Sequence, residues 1–305
     1  MNTSINNPSV SDIYQIVSDT IVKQIETGTP PWKKPVLSVR FENGTVLNRP
    51  CNFVTKRAYE GINMFLLSCT PHIVPMFLTF NQVQSLKGKV KKGAKGYIVV
   101  FWKKEIVKFT VNDGEEKEKE RFFLTYHKVF NVEDTTIDYQ KYIVKEVSQP
   151  KKAAIKIESC EAIIKGYVNP PKIVTSETDM CYYPLNDKIG IPAYTRFKKG
   201  TEYYHVLFHE MIHSTGHRSR LNREGIEDFS GFGSASYSKE ELIAELGAAF
   251  LGKISGIDTP ETVTNSAAYI KGWLEPLKND KKFFFEACSK ATKAVEYILG
   301  VRHLA

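Results

Sequence analysis

"HVLFHEMIHSTGH", running from His205 to His217, decides how the second half of this chain is read. It holds four of the chain's seven histidines, and His209 and His213 bracket Glu210 in the order H-E-x-x-H. Residues four apart fall on one face of an α-helix, so both imidazoles would reach a single ion. Zinc takes imidazole nitrogen, and a catalytic zinc site offers three protein ligands plus one water. Glu210, beside the first histidine, is placed to hold that water and take its proton. Thr201 can cap a helix over residues 202–214 and Gly216 can end it. The plain alternative is a helix whose histidines are surface or hydrogen-bonded groups.

A third ligand is needed. The metzincin spacing fails, because Ser219 stands where that pattern has its last histidine. A carboxylate from a second helix is the other route, and "YSKEELIAELGAAFLG" offers Glu241 and Glu245 on one face. Gly247, Ala248 and Ala249 would let that helix pack closely. In a gluzincin-like arrangement Glu241 binds the metal and Glu245 holds a ligand imidazole from behind. Ser238 and Glu241 also have the spacing of a capping box; if Glu241 is occupied that way, Glu245 is the ligand. Glu240 is expected to face solvent. His217, Arg220 and Tyr237 are candidates to stabilise an oxyanion. "NDKIGIP", residues 186–192, is the candidate edge strand for a peptide substrate. The metal expected is one zinc ion, with manganese or another divalent ion also compatible with such ligands.

Upstream, the spacing of Ile13, Ile16, Val17, Ile21, Val22 and Ile25 predicts a helix over 12–27, with Ser11 as its cap. Short helices are expected near 62–68 and before Gly88. Strands are expected at 97–102, 106–111 and 121–132, with a solvated acidic loop at 112–120. Periodicity is lost over 133–152. Beyond it come a helix over 153–166, short strands near 171–192, and helices at 202–214, 239–255 and 266–299, the last broken near Pro276.

The first half is basic and aromatic. Leu86 to Lys108 hold eight lysines and one acid, Glu105. Trp32 adjoins Lys33 and Lys34; Lys56, Arg57 and Tyr59 follow; Lys91, Lys92 and Lys95 precede Trp102. Lysines for phosphates, interleaved with rings on which bases stack, suit sequence-tolerant binding of single strands. Gly88, Gly93 and Gly96 would let backbone amides approach phosphate. The competing view is that such lysines are solvated and such rings belong to a core.

The net charge of +8 is compatible with a nucleic-acid partner. No apolar run is long enough to span a bilayer, and "MNTSINNPSVSDIYQ" has no signal-peptide pattern. The five cysteines are odd in number and lack C-x-x-C, which excludes a disulfide framework or cysteine zinc knuckle. The expectation is therefore a cytoplasmic protein with no membrane partner.

Several stretches together resemble the ArdC-type antirestriction proteins of conjugative elements: "PPWKKP", "TKRAYEGIN", "FLTFNQVQSLKGKVKKGAKGYIVVFW" and "YHKVFNVED" in the first half, then "YYPLNDKIGIP", "FHEMIHSTGHRSRLNRE" and "YSKEELIAELGAAFL". Val36 departs from the pattern where a second tryptophan is expected. The resemblance implies an α+β chain of two domains. A small antiparallel-sheet DNA-binding domain, 8–134, and a linker, 135–152, precede a helix-rich zincin-like metallopeptidase domain, 153–305. It implies a protein that binds single-stranded DNA, shields incoming DNA from restriction, and carries a metal-dependent peptidase site for an unidentified host protein. Two other functions fit the residues. One is a non-catalytic coat for single-stranded DNA with a purely structural metal, for which His217 would be the fourth ligand. The other is a peptidase whose basic half binds a protein or membrane surface.

Overall fold

A computed structural model of the chain describes residues 10–26, 36–110, 116–144, 156–224, 226, 235–257 and 266–301. The first helix, α1 (Val10–Glu26), follows from its apolar spacing: Ile13, Val17, Ile21 and Ile25, four apart, are all buried. It starts just before Ser11, so that residue lies inside it. A small hairpin, β1 (Val39–Arg40) and β2 (Val46–Leu47), leads to β3 (Cys51–Asn52), α2 (Gly61–Ser68) and β4 (Met76–Thr79). Thr79 and Gln82 form a reciprocal capping box on α3 (Phe80–Ser85). Two long strands follow, β5 (Tyr97–Thr110) and β6 (Glu116–Asn131).

These strands differ from expectation. The two segments predicted at 97–102 and 106–111 are one strand, and Glu116–Glu120 of the predicted acidic loop belong to β6. The register runs without a break from Tyr97 opposite Val129 to Thr110 opposite Glu116. The sheet order is β3-β4-β6-β5. Its long pairings are antiparallel, but β3 joins β4 in parallel, so the sheet is mixed.

In the second half, α4 (Glu158–Gly166) precedes β7 (Lys172–Thr175), β8 (Cys181–Tyr183) and β9 (Lys188–Ile191), ordered β7-β9-β8. The stretch 186–192, expected at a sheet edge, therefore forms the central strand, and β8 is the edge. Four helices complete the chain: α5 (Gly200–Ser214), α6 (Ala235–Ser255), α7 (Ser266–Asn279) and α8 (Phe283–Leu299). Lys199, not Thr201, occupies the N-cap of α5, and its side chain makes no capping bond. Pro276 lies inside α7. The break comes later, where the Asp280 carboxylate accepts from Lys282 N (2.9 Å) and turns the chain into α8. No helix among the described residues is long and apolar enough to cross a membrane. All five cysteines are free.

The first-half sheet has its own core around Val39, Phe53, Met76 and Leu78. The largest core belongs to both halves: Ile21 and Ile25 of α1 and Met64 and Phe65 of α2 pack with α5, α6 and α8. Phe65, fully buried, has its ring centroid 4.7 Å from Phe250 and 5.9 Å from Phe284. On its other side α2 closes the free edge of β5, where the Asn63 amide pairs with both backbone groups of Val100 at 2.7 and 2.8 Å.

Helix α6 lies centrally, and every residue from Glu240 to Lys253 is buried. It meets α5 at Gly247, where an added Cβ would come within 2.6 Å of Ile212 Cδ1. Only a residue without a side chain allows that approach. Gly247→Ala is expected to cost about 1–3 kcal/mol by overpacking and to lower metal content by prising α6 from α5. Urea unfolding and elemental analysis check both; an unchanged midpoint would show that the interface yields freely.

Candidate metal centre

The buried face of α5 is made by Tyr204, Leu207, Phe208, Met211 and Ile212. This anchors the helix and aims His209 and His213, one turn apart, at α6. Their Nε2 atoms lie 3.1 Å apart. Glu241 of α6 completes the convergence, with its carboxylate 3.4 Å from His209 Nε2 and 3.5 Å from His213 Nε2. Among the described residues, these three form the group whose ligand atoms all lie within 4.8 Å of one another. His217 is outside it, turning its Nδ1 to Ser219 Oγ at 2.8 Å. Two imidazole nitrogens and a carboxylate are a donor set suited to zinc or a similar divalent ion.

The far side of each imidazole is also held. Glu245 sets Oε2 3.6 Å from His209 Nδ1 and 3.6 Å from His205 Nε2. Glu240 sets Oε1 3.3 Å from His213 Nδ1. A carboxylate behind Nδ1 fixes the tautomer that leaves Nε2 as the ligand atom. The capping box proposed for Glu241 does not form. The helix begins at Ala235, so Ser238 lies within the first turns and its carbonyl accepts from Trp273 Nε1 at 3.0 Å.

Glu240 is buried, against the expectation that it faces solvent. The cause is Arg223, which donates from Nε (3.1 Å) and Nη2 (2.5 Å) to the two oxygens of Glu240. The same guanidinium donates to Thr215 Oγ1 (2.5 Å) and Ile212 O (2.9 Å) at the end of α5. Gly216 serves this arrangement by its smallness, since a Cβ there would meet Ile226 at 2.4 Å and Arg223 at 3.1 Å.

Glu210 accepts a hydrogen bond from Tyr182 N on β8 at 2.7 Å. The backbone N–H of Tyr182 therefore points away from β9, so the outer edge of β8 faces Glu210. Asp187 and Arg220 hold this strand in place. Tyr182 Oη donates to Asp187 (2.8 Å), and Arg220 donates to Asp187 (3.1 Å from Nη1), Asn169 O (3.1 Å) and Ser214 O (2.7 Å). Arg220 is thus committed to structure, not free to stabilise an oxyanion. The side chain of Tyr237 lies outside the described residues.

Electrostatics follow burial and pairing. Burial disfavours the charged imidazole of His213, but Glu240 and Glu241 outweigh it and raise its pKa to about 9. Burial also lifts the Glu210 carboxyl above the ordinary range, opposed by His209, His213 and the Tyr182 amide. A carboxylate raised in this way is better matched to proton transfer near neutral pH. Sequence reasoning missed Arg223, Tyr182 and Asp187. Tyr182 acts through its backbone, which leaves no trace in side-chain pattern.

The candidate DNA-binding residues are spread over the first half. Lys91, Lys92 and Lys95 are exposed on the loop between α3 and β5. The loop is fastened by Lys91 N to Asp134 O (2.9 Å) and Thr136 N to Lys89 O (2.9 Å). Gly88 serves packing, because a Cβ there would strike Ile137 at 2.4 Å. Arg57 is exposed and Tyr59 half-buried. Lys56 folds inward, its ammonium 4.3–4.9 Å from the rings of Phe41, Phe53 and Tyr142. Trp102 is 58% exposed. Trp32, Lys33 and Lys34 lie outside the described residues.

Two family models match the chain: the N-terminal domain of anti-restriction factor ArdC over residues 11–130, and a zincin-like metallopeptidase over residues 159–290. The uncharacterized protein y4eC of Sinorhizobium fredii is 30% identical, over 98% of this chain and 95% of its own length. The DNA primase TraC of Escherichia coli is 29% identical over 94% of this chain, which spans only 20% of that longer protein. The metal-free crystal structure of antirestriction protein ArdC from plasmid R388 superposes with a TM-score of 0.72 at 31% identity, covering 96% of this chain and 100% of that one. The Mn(II)-bound structure of the same protein gives 0.68 at 30% identity, covering 94% and 97%.

Arg223→Met should leave Glu240 buried without its counter-charge, costing about 3–5 kcal/mol. It should also weaken zinc binding by about 10–100-fold through loss of the support behind His213. Unfolding and chelator competition measure the two effects. Loss of stability with unchanged zinc affinity would make the pair purely structural.

Proposed function

Because the chain belongs to the ArdC-type antirestriction family, we propose that it protects incoming conjugative DNA from host restriction by holding single-stranded DNA on its first half. In the second half, His209, His213 and Glu241 bind one divalent ion for hydrolysis of a host protein. The observation that carries the hydrolytic part is the position of Glu210. It sits beside the three-ligand cluster, buried, with its carboxylate oriented by the edge strand. A metal that only braced the fold would have no use for such a group. His217, the fourth ligand named for a closed structural site, turns to Ser219 instead.

Zinc is the ion we assign to the site, on its imidazole and carboxylate donors; manganese, the ion in the R388 protein's structure, fits the same donors. When bound, the ion supplies Lewis acidity to a water and to a substrate carbonyl. The chain's own groups do the rest. Glu210 takes the water's proton and returns it to the leaving amine. The Tyr182 amide holds Glu210 in place. A peptide lying along the outer edge of β8 would present its carbonyl above His209 and His213. Glu245 and Glu240 keep the two imidazoles aimed. In the first half, the exposed Lys91, Lys92 and Lys95 meet phosphates.

Glu210→Gln should retain the metal while hydrolysis of labelled casein falls about 10²–10⁴-fold, the usual worth of a general base; undiminished cleavage would overturn the mechanism. Metal content should be lost in Glu241→Ala and largely kept in Glu245→Ala; the reverse would transfer the ligand to Glu245. Binding of a labelled single-stranded oligonucleotide should weaken about 100-fold between roughly 50 and 200 mM salt if about five phosphates are contacted. A flat salt response, or equal preference for duplex, would remove the DNA role.

A further inference from the structure

The register of the long ribbon sorts its rings onto two faces. Val99 lies opposite His127 and Phe101 opposite Thr125, while Trp102 lies opposite Leu124. Directly opposed residues share a face and successive residues alternate. Tyr97, Val99, Phe101, Lys103 and His127 therefore lie on one side, and Trp102 on the other. On the first side, Tyr59 and Tyr97 form the half-buried outer layer over Leu67, Phe77, Val99 and Val129. Past this cover the strip opens to water. Phe101 is 43% exposed and His127 is exposed, their ring centroids 5.6 Å apart and tilted by 55°. The Lys95 ammonium sits 5.9 Å from the Tyr97 ring at one end, and exposed Lys103 marks the other. From Tyr97 to Phe101 the strand covers about 13 Å, enough for more than one base.

We propose that this face seats the unpaired bases of a single DNA strand. Phe101 and His127 form the stacking platform, Tyr59 and Tyr97 continue it, and Lys95 meets the backbone phosphates. The inference rests on the single-stranded-DNA reading above and gives that activity a place. Charge and shape both point to this occupant. Exposed rings at Phe101 and His127, with the Lys95 ammonium nearby, match an anionic polymer whose bases are free to stack, whereas duplex bases offer no faces; the Glu133 and Asp134 carboxylates beside Tyr97 are taken up by His72. Trp102, expected from the sequence to be one of the stacking rings, is more exposed than Phe101 but lies on the other face, so its replacement separates this platform from that expectation.

The test is fluorescence anisotropy of a labelled single-stranded oligonucleotide with the full chain at fixed moderate salt. Phe101→Ala and His127→Ala should each weaken binding about tenfold, Phe101→Trp should restore it, and Trp102→Ala should change it less than twofold. Urea unfolding of each variant separates binding from folding. Phe101→Ala that is less stable but binds as wild type would reduce Phe101 and His127 to a cross-strand packing pair and overturn the proposal. A large loss in Trp102→Ala alone would move the platform to the opposite face. Absence of salt-sensitive binding by the wild type would instead defeat the DNA reading itself.

Discussion

The second half depends on one costly arrangement, three carboxylates on a helix that has no solvent-facing side where they sit. Taking a carboxylate out of water costs several kcal/mol unless opposite charge and hydrogen bonds meet it. Each of the three has its own answer. Glu240 has Arg223; Glu245 has His205 and His209; Glu241 faces His209 and His213. Burial alone would push Glu241 and Glu245 up, yet the imidazoles opposite hold both below the usual carboxylate range. Two buried carboxylates thus face a cluster of imidazoles across α5 and α6. A divalent ion held by His209, His213 and Glu241 would meet the carboxylate's charge, and its binding would displace protons from the ligands. The approach of α6 to α5 at Gly247 brings the two charged faces within reach, so packing and electrostatics are one constraint.

How much of this was legible depends on which level carries the information. The spacing of His209 and His213 and the placement of Glu241 and Glu245 are properties of one helical turn, and a helical turn can be read from letters. The two-domain, mixed helix-and-sheet character followed from apolar periodicity and from the resemblance. The start of α6 could not be read, because Ser238 and Glu241 imitate a capping box while the helix had already begun at Ala235. Glu240, expected to face solvent, is buried because of Arg223, 17 residues away in sequence. Strand order failed for a similar reason. Residues 186–192 show a strand pattern, but whether a strand is central or at an edge is decided by its neighbours. Here β7 and β8 flank β9 on both sides.

The relation between the halves was least visible of all. An eight-residue helix, α2, is held by Asn63 against the edge of β5 and by Phe65 within the core that α6 and α8 complete. Its two faces answer to two different parts of the molecule, and no local periodicity distinguishes them. The consequence is mechanical. A hinge would need solvent between the halves, but Ile21, Ile25, Met64 and Phe65 fill that space with buried side chains. Separating them would expose several large apolar groups, each worth about 1.5–3 kcal/mol in burial. The ribbon of β5 and β6 and the metal centre between α5 and α6 are therefore held at a fixed separation.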